Sequence, residues 1–157
     1  MRFLCAVTAF ALLPVAGLAE TITGRVVGVA DGDTLTVLHD RKQIKVRLVE
    51  IDAPEKKQAF GNRSKESLSA MCFGKTATLA DKGKDRYGRT LARVNCDGID
   101  ANAEQVRRGM AWVYDRYVTD KGLYAVQAEA KAQRRGLWAD ANPVPPWEWR
   151  RGKKEKR

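Results

Sequence analysis

Histidine is nearly absent from this sequence, because His39 is the only one among 157 residues. A single histidine excludes the paired acid and base of two-histidine ribonucleases, and we interpret His39 as a solvated turn residue beside Asp40. The sequence also lacks the Gly-x-Ser-x-Gly motif of serine hydrolases and a glycine-rich phosphate loop followed by Lys and Ser or Thr. These absences remove several common hydrolase and nucleotide-binding classes.

Long apolar runs are confined to the first residues of the chain. Arg2 is followed by an almost wholly apolar stretch, residues 3–15, and then by small residues at 17–19 (GLA). This order is typical of a cleaved export signal, so we predict that residues 1–19 are removed and that the mature protein begins near Glu20. An uncleaved membrane anchor is the alternative, which the short run and its interruption by Pro14 disfavour.

Cysteine is also scarce. Of the three cysteines, Cys5 leaves with the predicted signal, and Cys72 and Cys96 remain as a pair in an oxidising compartment. This pair predicts one disulfide, with two buried free thiols as the alternative, because sequence does not give the distance between the α-carbons. Two cysteines and one histidine at these spacings cannot form a zinc site.

Acidic residues are outnumbered, since 29 Lys and Arg face 19 Asp and Glu and the formal net charge is +10. The summed field of such a surface attracts polyanions such as DNA and RNA at long range. The same charge also serves solubility alone. Composition therefore suggests an anionic partner but no chemistry.

Strand patterns dominate the first half of the chain. Apolar and β-branched residues at 22–29, 34–38 and 44–48, separated by turns at 31–33 and near 39–40, predict a three-stranded meander. Two further strands are predicted at 76–80 and 91–94. Five short strands interrupted by a helix favour an α+β domain that is mainly a five-stranded barrel of the oligonucleotide-binding (OB) type.

Three helices accompany these strands in the prediction. The first lies after Pro54, is capped by Asn62 or Ser64, and ends before Gly74. The second begins at Asn102, which caps it, and stops at Gly109. The third covers about residues 123–135.

We assign the OB-type domain to residues 20–140 and a Pro- and Trp-containing basic tail to residues 141–157. Trp147 and Trp149 in this tail either stack on bases or pack against the barrel, and we favour packing. The basic residues at the end of the tail either add phosphate affinity or form a solvated end.

Polar residues interrupt the apolar framework in three clusters, each at a strand end or turn. They are residues 31–34 (DGDT), Arg47 with residues 52–55 (DAPE), and residues 85–89 (DRYGR). Each cluster alone fits a tight turn, a strand exit or a hairpin tip. Together they supply what phosphodiester hydrolysis needs: positive charge for the phosphate, oxygen ligands for a metal ion, and a group that activates water.

Arg47 and Arg89 are the candidates for contacting the non-bridging phosphate oxygens, because the planar guanidinium donates two hydrogen bonds at once. Glu55 is the candidate for orienting water or taking its proton. Asp33 and Asp52 are the candidate metal ligands.

The backbone carbonyl of Ala53, in the non-helical segment before Pro54, is a third candidate ligand. Oxygen ligands without histidine favour calcium or magnesium over transition metals.

The three clusters occur in the order of the motifs of the staphylococcal nuclease, or thermonuclease, family, which the chain resembles from about residue 21 to residue 138. The resemblance implies a five-stranded OB barrel with three helices and a calcium-dependent hydrolysis of DNA and RNA that leaves 3′-phosphate ends. It implies that Asp33 and Asp52 are calcium ligands and that Glu55 is the carboxylate that activates water. It also implies that Arg47 and Arg89 bind the phosphate.

Some positions depart from the family pattern or extend it. Ala53 stands where the type member has threonine, but that residue contributes its main-chain carbonyl, so we expect calcium binding to survive. Arg86 and Tyr87 are assigned by resemblance to contact with the nucleotide. Tyr117, near Tyr114, is a further candidate, and packing is the alternative for Tyr87 and Tyr117.

The resemblance also implies DNA and RNA as substrates, with single-stranded or unpaired regions preferred. We expect a monomer without stable membrane association after signal cleavage, located in the periplasm or secreted. The main alternative is a catalytically inert OB-fold module that binds nucleic acid. An exported structural protein that holds acidic polymers explains the charge but none of the motifs.

Overall fold

The computed structural model describes residues 21–155, so the predicted signal at residues 1–19 lies outside the described residues. In chain order the elements are β1 (Thr21–Asp31), β2 (Thr34–His39), β3 (Lys42–Leu48), β4 (Ile51–Asp52), α1 (Gly61–Cys72), β5 (Thr76–Lys84), β6 (Thr90–Cys96), β7 (Ile99–Asp100), α2 (Ala101–Arg107), β8 (Trp112–Val113), α3 (Gly122–Ala132), a 3-10 turn (Gly136–Ala139) and α4 (Pro146–Glu155). Within this range no helix combines the length and the apolar content that a bilayer crossing requires.

Five strands close into a barrel. Antiparallel pairing gives the order β3-β2-β1-β5-β6, and a parallel pairing of β3 with β6, which sets Arg47 opposite Leu91, joins the two ends. Irregular register in β1 near Gly28 and before Asp31 lets this long strand bend around the barrel. The five-stranded OB barrel predicted from the sequence is confirmed.

Alternating side chains fill the barrel. In β6 every second residue from Thr90 to Cys96 is buried, and Val26, Val37 and Leu79 from the neighbouring strands are fully buried. Closing a sheet in this way removes its exposed edges and gives one continuous core.

A disulfide joins α1 to the barrel wall. Cys72, the last residue of α1, is bonded to Cys96 at the end of β6, and their α-carbons are 5.3 Å apart. Both residues are buried.

The cap of α2 differs from the prediction. The Asp100 side chain accepts from the N–H of Ala103 and is the cap, while Asn102 lies inside the helix and is fully buried. Asn102 accepts from the N–H of Val94 and donates to the carbonyl of Val49. Asn102 therefore makes tertiary hydrogen bonds and does not form the local helix cap that was predicted.

The start of α1 also differs. Phe60 is its N-terminal boundary residue, in a left-handed conformation, and no side chain caps the helix. Ser64 is buried and donates its hydroxyl to the carbonyl of Met110, so neither Asn62 nor Ser64 acts as a cap.

The three predicted helices are present as α1, α2 and α3, and the described residues contain a fourth α-helix that was not predicted. The additional helix, α4, lies in the tail and begins at Pro146, a residue well suited to a first helical turn. Trp147 stacks on Tyr114, with ring centroids 5.4 Å apart and planes 8° from parallel. The segment is rich in charge and follows a proline-rich stretch, so its sequence pattern predicts a tail rather than a helix.

Glu50 ties the turn after β3 to the segment before α3. Its Oε1 accepts the N–H groups of Thr119 and Asp120 at 2.7 Å each and the Thr119 hydroxyl at 2.6 Å, while Oε2 lies 2.7 Å from Arg93 Nη1. Burial alone raises the pKa of Glu50, but these donors outweigh burial and lower the pKa to about 2. Glu50 is therefore ionised and fully hydrogen-bonded in the core.

We expect Glu50→Gln to lower the free energy of unfolding by about 2 kcal/mol at pH 7, because the amide replaces a charged acceptor and leaves donors unpaired. Urea unfolding followed by circular dichroism measures the change. Glu66→Gln, on the exposed face of α1, is the matched control and should stay within about 0.5 kcal/mol of wild type. Equal midpoints for both variants would show that the Glu50 contacts contribute nothing.

Candidate active site

Two buried carboxylates converge on one arginine at an end of the barrel. Asp33 follows the β1–β2 turn, Asp52 ends β4, and they are 6% and 2% exposed. Arg47 Nη2 lies 3.2 Å from Asp33 Oδ2 and 3.0 Å from Asp52 Oδ1. The structure therefore brings together three residues that lie in two separate sequence clusters.

Arg47 is held in one orientation. Its Nη1 donates to the backbone carbonyls of Leu48 and Ile51, so four acceptors face its two terminal nitrogens. Nη2 donates a hydrogen bond to Asp52 Oδ1, and Asp33 Oδ2 lies within ion-pair distance of the same nitrogen. Its charge is thus fixed against the two carboxylates.

The positive charge near Asp33 does not fully offset the effect of burial on its carboxyl group. Burial raises its pKa to about 7, although Arg47 lowers it, and Asp52 raises it further. The N–H of Ala53 donates to Asp33 Oδ2 at 2.7 Å and partly offsets the burial. An additional cation near Asp33 would therefore stabilise its ionised form.

Gly32 lets the turn that carries Asp33 pack tightly. A Cβ on Gly32 would lie 1.8 Å from Ser64 Oγ and 2.8 Å from the Ala53 Cβ. Gln105 Nε2, from α2, donates to the carbonyls of Gly32 at 2.6 Å and Ser64 at 3.0 Å. Side chains from two helices thus fix the position of Asp33, a role for Gln105 that no pattern in the sequence indicates.

Glu55 is linked to Asp52 by an arginine that the sequence analysis did not identify. Arg150, in α4, places Nη1 2.7 Å from Glu55 Oε1 and Nη2 2.7 Å from Asp52 Oδ2. The sequence around Arg150 shows only a run of basic residues, with no signal that singles it out.

Arg89 lies in a second cluster with Arg86 and Tyr87. Arg89 Nε is 2.7 Å from Asp85 Oδ2, and its guanidinium is 5.6 Å from the centre of the Tyr87 ring. Arg86 Nη2 donates to the Tyr87 hydroxyl at 2.7 Å. Within residues 21–155, Arg89 forms its ion pair with Asp85 and none with the acidic residues around Arg47.

Tyr117 is accessible, with 56% of the residue exposed. It packs edge-on against Tyr114 at 5.1 Å, whereas a face of Tyr114 is covered by Trp147. Of the two candidate positions, Tyr117 is thus the more exposed, with the Arg116 guanidinium 5.4 Å from its ring centre.

Comparison with known proteins identifies this arrangement. The family model described as "Staphylococcal nuclease homologue" matches residues 45–140, which include Arg47, Asp52, Glu55 and Arg89. The chain belongs to the staphylococcal nuclease family. The resemblance noted in the sequence is confirmed, and the chain is a nuclease of this type.

Relatives over nearly the full chain agree. An Escherichia coli protein named "Uncharacterized endonuclease" is 51% identical over 137 residues, covering 87% of this chain and 90% of the relative. A Haemophilus influenzae protein of the same name is 53% identical over 136 residues, covering 86% and 76%. A Shigella flexneri protein named "Micrococcal nuclease" is 44% identical over 142 residues, covering 83% and 82%.

The oxygen atoms of this nuclease site suit a hard cation. In the part of the chain described here, no group of three or more His, Cys, Asp or Glu side chains is arranged to hold a metal. Hard cations also accept backbone carbonyls and waters, so a pair of carboxylates with a nearby carbonyl matches the ligand chemistry that such an ion prefers. Arg47 and Arg150 both pair with Asp52, which indicates that this position attracts positive charge.

We expect Gly32→Ala to destabilise this nuclease by about 2–3 kcal/mol and to impair cleavage, because the added methyl overlaps Ser64 and displaces the Asp33 turn. Urea unfolding and a DNA cleavage assay measure the two effects. Gly28→Ala is the control, since its Cβ would lie 3.7 Å from Thr36 in ordinary contact. Equal free energies of unfolding and equal cleavage rates for Gly32→Ala and Gly28→Ala would show that the tight packing of this turn affects neither stability nor activity.

Proposed function

We propose that this nuclease hydrolyses phosphodiester bonds of DNA and RNA in a calcium-dependent reaction that leaves 3′-phosphate ends. The supporting observation is the convergence of Asp33 and Asp52 on Arg47. Burying two carboxylates costs free energy. A module that only binds anionic nucleic acid gains nothing from acids at its binding surface, so the inert OB module does not account for them.

In this proposal Asp33, Asp52 and the Ala53 carbonyl hold the calcium ion. The bound ion would polarise the phosphate and help to position water. The raised pKa of Asp33 supports the assignment, because a carboxyl that lacks compensating charge gains the most from a nearby cation.

Glu55 is proposed to take the proton of the attacking water. Its side chain is 41% exposed beside the buried Asp52, so it can contact both solvent and substrate. The water oxygen forms a bond to phosphorus, the bond from phosphorus to the 5′ oxygen breaks, and the departing 5′ oxygen takes up a proton from solvent water. The products are a 3′-phosphate and a 5′-hydroxyl.

Arg47 and Arg89 are proposed to donate to the non-bridging oxygens as negative charge develops on them. Arg47 does so by exchanging an Nη2 hydrogen bond from a carboxylate to the phosphate. Arg89 is oriented by Asp85, whose pKa is lowered chiefly by that pairing against the opposing effect of burial. Arg86 and Tyr87 contact the nucleotide beside it.

We also propose that the protein is exported to the periplasm or the medium, that it is a monomer, and that it prefers single-stranded or unpaired regions. The signal-like residues 1–19 and the Cys72–Cys96 disulfide support export. The exposed rings of Tyr87 and Tyr117 support the substrate preference, because unpaired bases stack on aromatic side chains.

We expect cleavage of single-stranded DNA with calcium, none with a chelator, and little with magnesium. A loose set of carboxylates, a carbonyl and waters suits the flexible coordination of calcium better than the strict octahedron of magnesium. Rates at matched ion concentrations measure this. Equal turnover with magnesium alone would contradict the calcium assignment, and undiminished cleavage in the chelator would contradict metal dependence.

For Arg89→Lys we expect the single-turnover cleavage rate to fall on the order of 100-fold, because lysine keeps the charge but loses the bidentate guanidinium. DNA affinity in calcium-free buffer should change only a few-fold. Arg25→Lys is the control, because Arg25 is exposed on β1 six residues before Asp31, about 20 Å along the strand. A wild-type rate, or equal losses of rate and affinity, would remove Arg89 from catalysis.

A further inference from the structure

The C-terminal helix lies across the active site. The segment before α4 is anchored by Gln58, whose Nε2 donates to the carbonyl of Val144 at 2.6 Å. Pro146 is buried, and Trp149 lines a pocket with Pro54 and Phe60. These contacts hold α4 against the segment that follows Asp52.

Arg150 uses the carboxylates that the proposed reaction needs. Its Nη2 lies 2.7 Å from Asp52 Oδ2, and its Nη1 lies 3.3 Å from Asp52 Oδ1 and 2.7 Å from Glu55 Oε1. One guanidinium thus engages both oxygens of the proposed calcium ligand and the proposed water-activating carboxylate.

Trp147, in the same helix as Arg150, covers an aromatic surface. Its ring stacks on Tyr114 at 5.4 Å, in the parallel arrangement that a nucleic acid base would adopt on a tyrosine. Because Tyr114 also contacts Tyr117, a proposed substrate residue, the stack adjoins the proposed nucleotide surface.

We propose that α4 is an autoinhibitory strap and that Arg150 competes with the divalent cation for Asp52. The inference rests on the proposed function, since it takes Asp52 as a cation ligand. Asp52 already carries Arg47 on Oδ1 and Arg150 on Oδ2, so a divalent ion bound there adds a third cation at short range, and both of its charges repel Arg150. Occupation of Asp52 by calcium therefore weakens the hold of Arg150, and α4 leaves the site.

The contact is suited to exchange. The Arg150 side chain is 40% exposed, so water solvates its charge as soon as it leaves the carboxylates. The competition is also reciprocal. If cation binding at Asp52 weakens the contact with Arg150, then removing the Arg150 contact must tighten cation binding at Asp52.

Calcium titration calorimetry without nucleic acid tests the competition on the mature protein. We expect Arg150→Ala to tighten calcium binding about tenfold, within the usual range of coupling between sites. Arg151→Ala is the matched control, because Arg151 is the next residue of α4 and is exposed. It carries the same charge and should change the affinity less than about twofold. Asp52→Asn in the Arg150→Ala background should abolish the tight binding, which assigns it to this site.

Hydrogen–deuterium exchange of residues 146–155 supplies the reciprocal test. In the wild-type protein calcium should lower the protection of these amides, while protection in β6 stays unchanged. In Arg150→Ala the calcium effect on this segment should disappear.

The outcomes separate the two proposals. If no variant binds calcium, the proposed metal site fails. If wild type binds calcium through Asp52 but Arg150→Ala has equal or weaker affinity, the strap is wrong and the metal site stands. Equal tightening by Arg151→Ala, or an α4 segment that stays protected in calcium, would also overturn the strap.

Discussion

The site depends on the ion cluster in which Arg47 meets Asp33 and Asp52. Two carboxylates that are almost fully buried repel each other and are costly to desolvate, so they share a small volume only where a cation compensates them. Arg47 supplies part of that charge from β3, and backbone carbonyls hold its other nitrogen. Burial outweighs the effect of Arg47 and raises the pKa of Asp33. A site with this imbalance is suited to take up another cation.

The surrounding structure holds this cluster in place. Gly32 permits close contact between the turn that carries Asp33 and Ser64 of α1. Gln105 of α2 donates hydrogen bonds to the backbone carbonyls of both Gly32 and Ser64. The two helices therefore hold Asp33 in position. In the turn after β3, Glu50 accepts hydrogen bonds from the backbone of Thr119 and Asp120, just before α3, and forms an ion pair with Arg93. Buried polar groups that are fully hydrogen-bonded specify one arrangement more sharply than apolar packing does.

The sequence predicted the barrel and the three residues that converge, because both follow from local patterns: alternation in the strands and charged residues at strand ends. It did not predict contacts set by tertiary packing. Asn102 has the chemistry of a helix cap but bonds instead to Val49 and Val94. Arg150 lies 98 positions from Asp52, and their contact depends on the path of the tail, which no local pattern encodes.

A crystal structure with calcium and a nucleotide that carries phosphates at its 3′ and 5′ positions tests whether this cluster is the catalytic centre. We expect one ion with oxygens of Asp33 and Asp52 at about 2.3–2.6 Å. A phosphate should lie beside that ion, within hydrogen-bonding distance of Arg47 and Arg89. Calcium bound elsewhere, or a phosphate held far from Arg47, would contradict the assignment of this cluster as the catalytic centre.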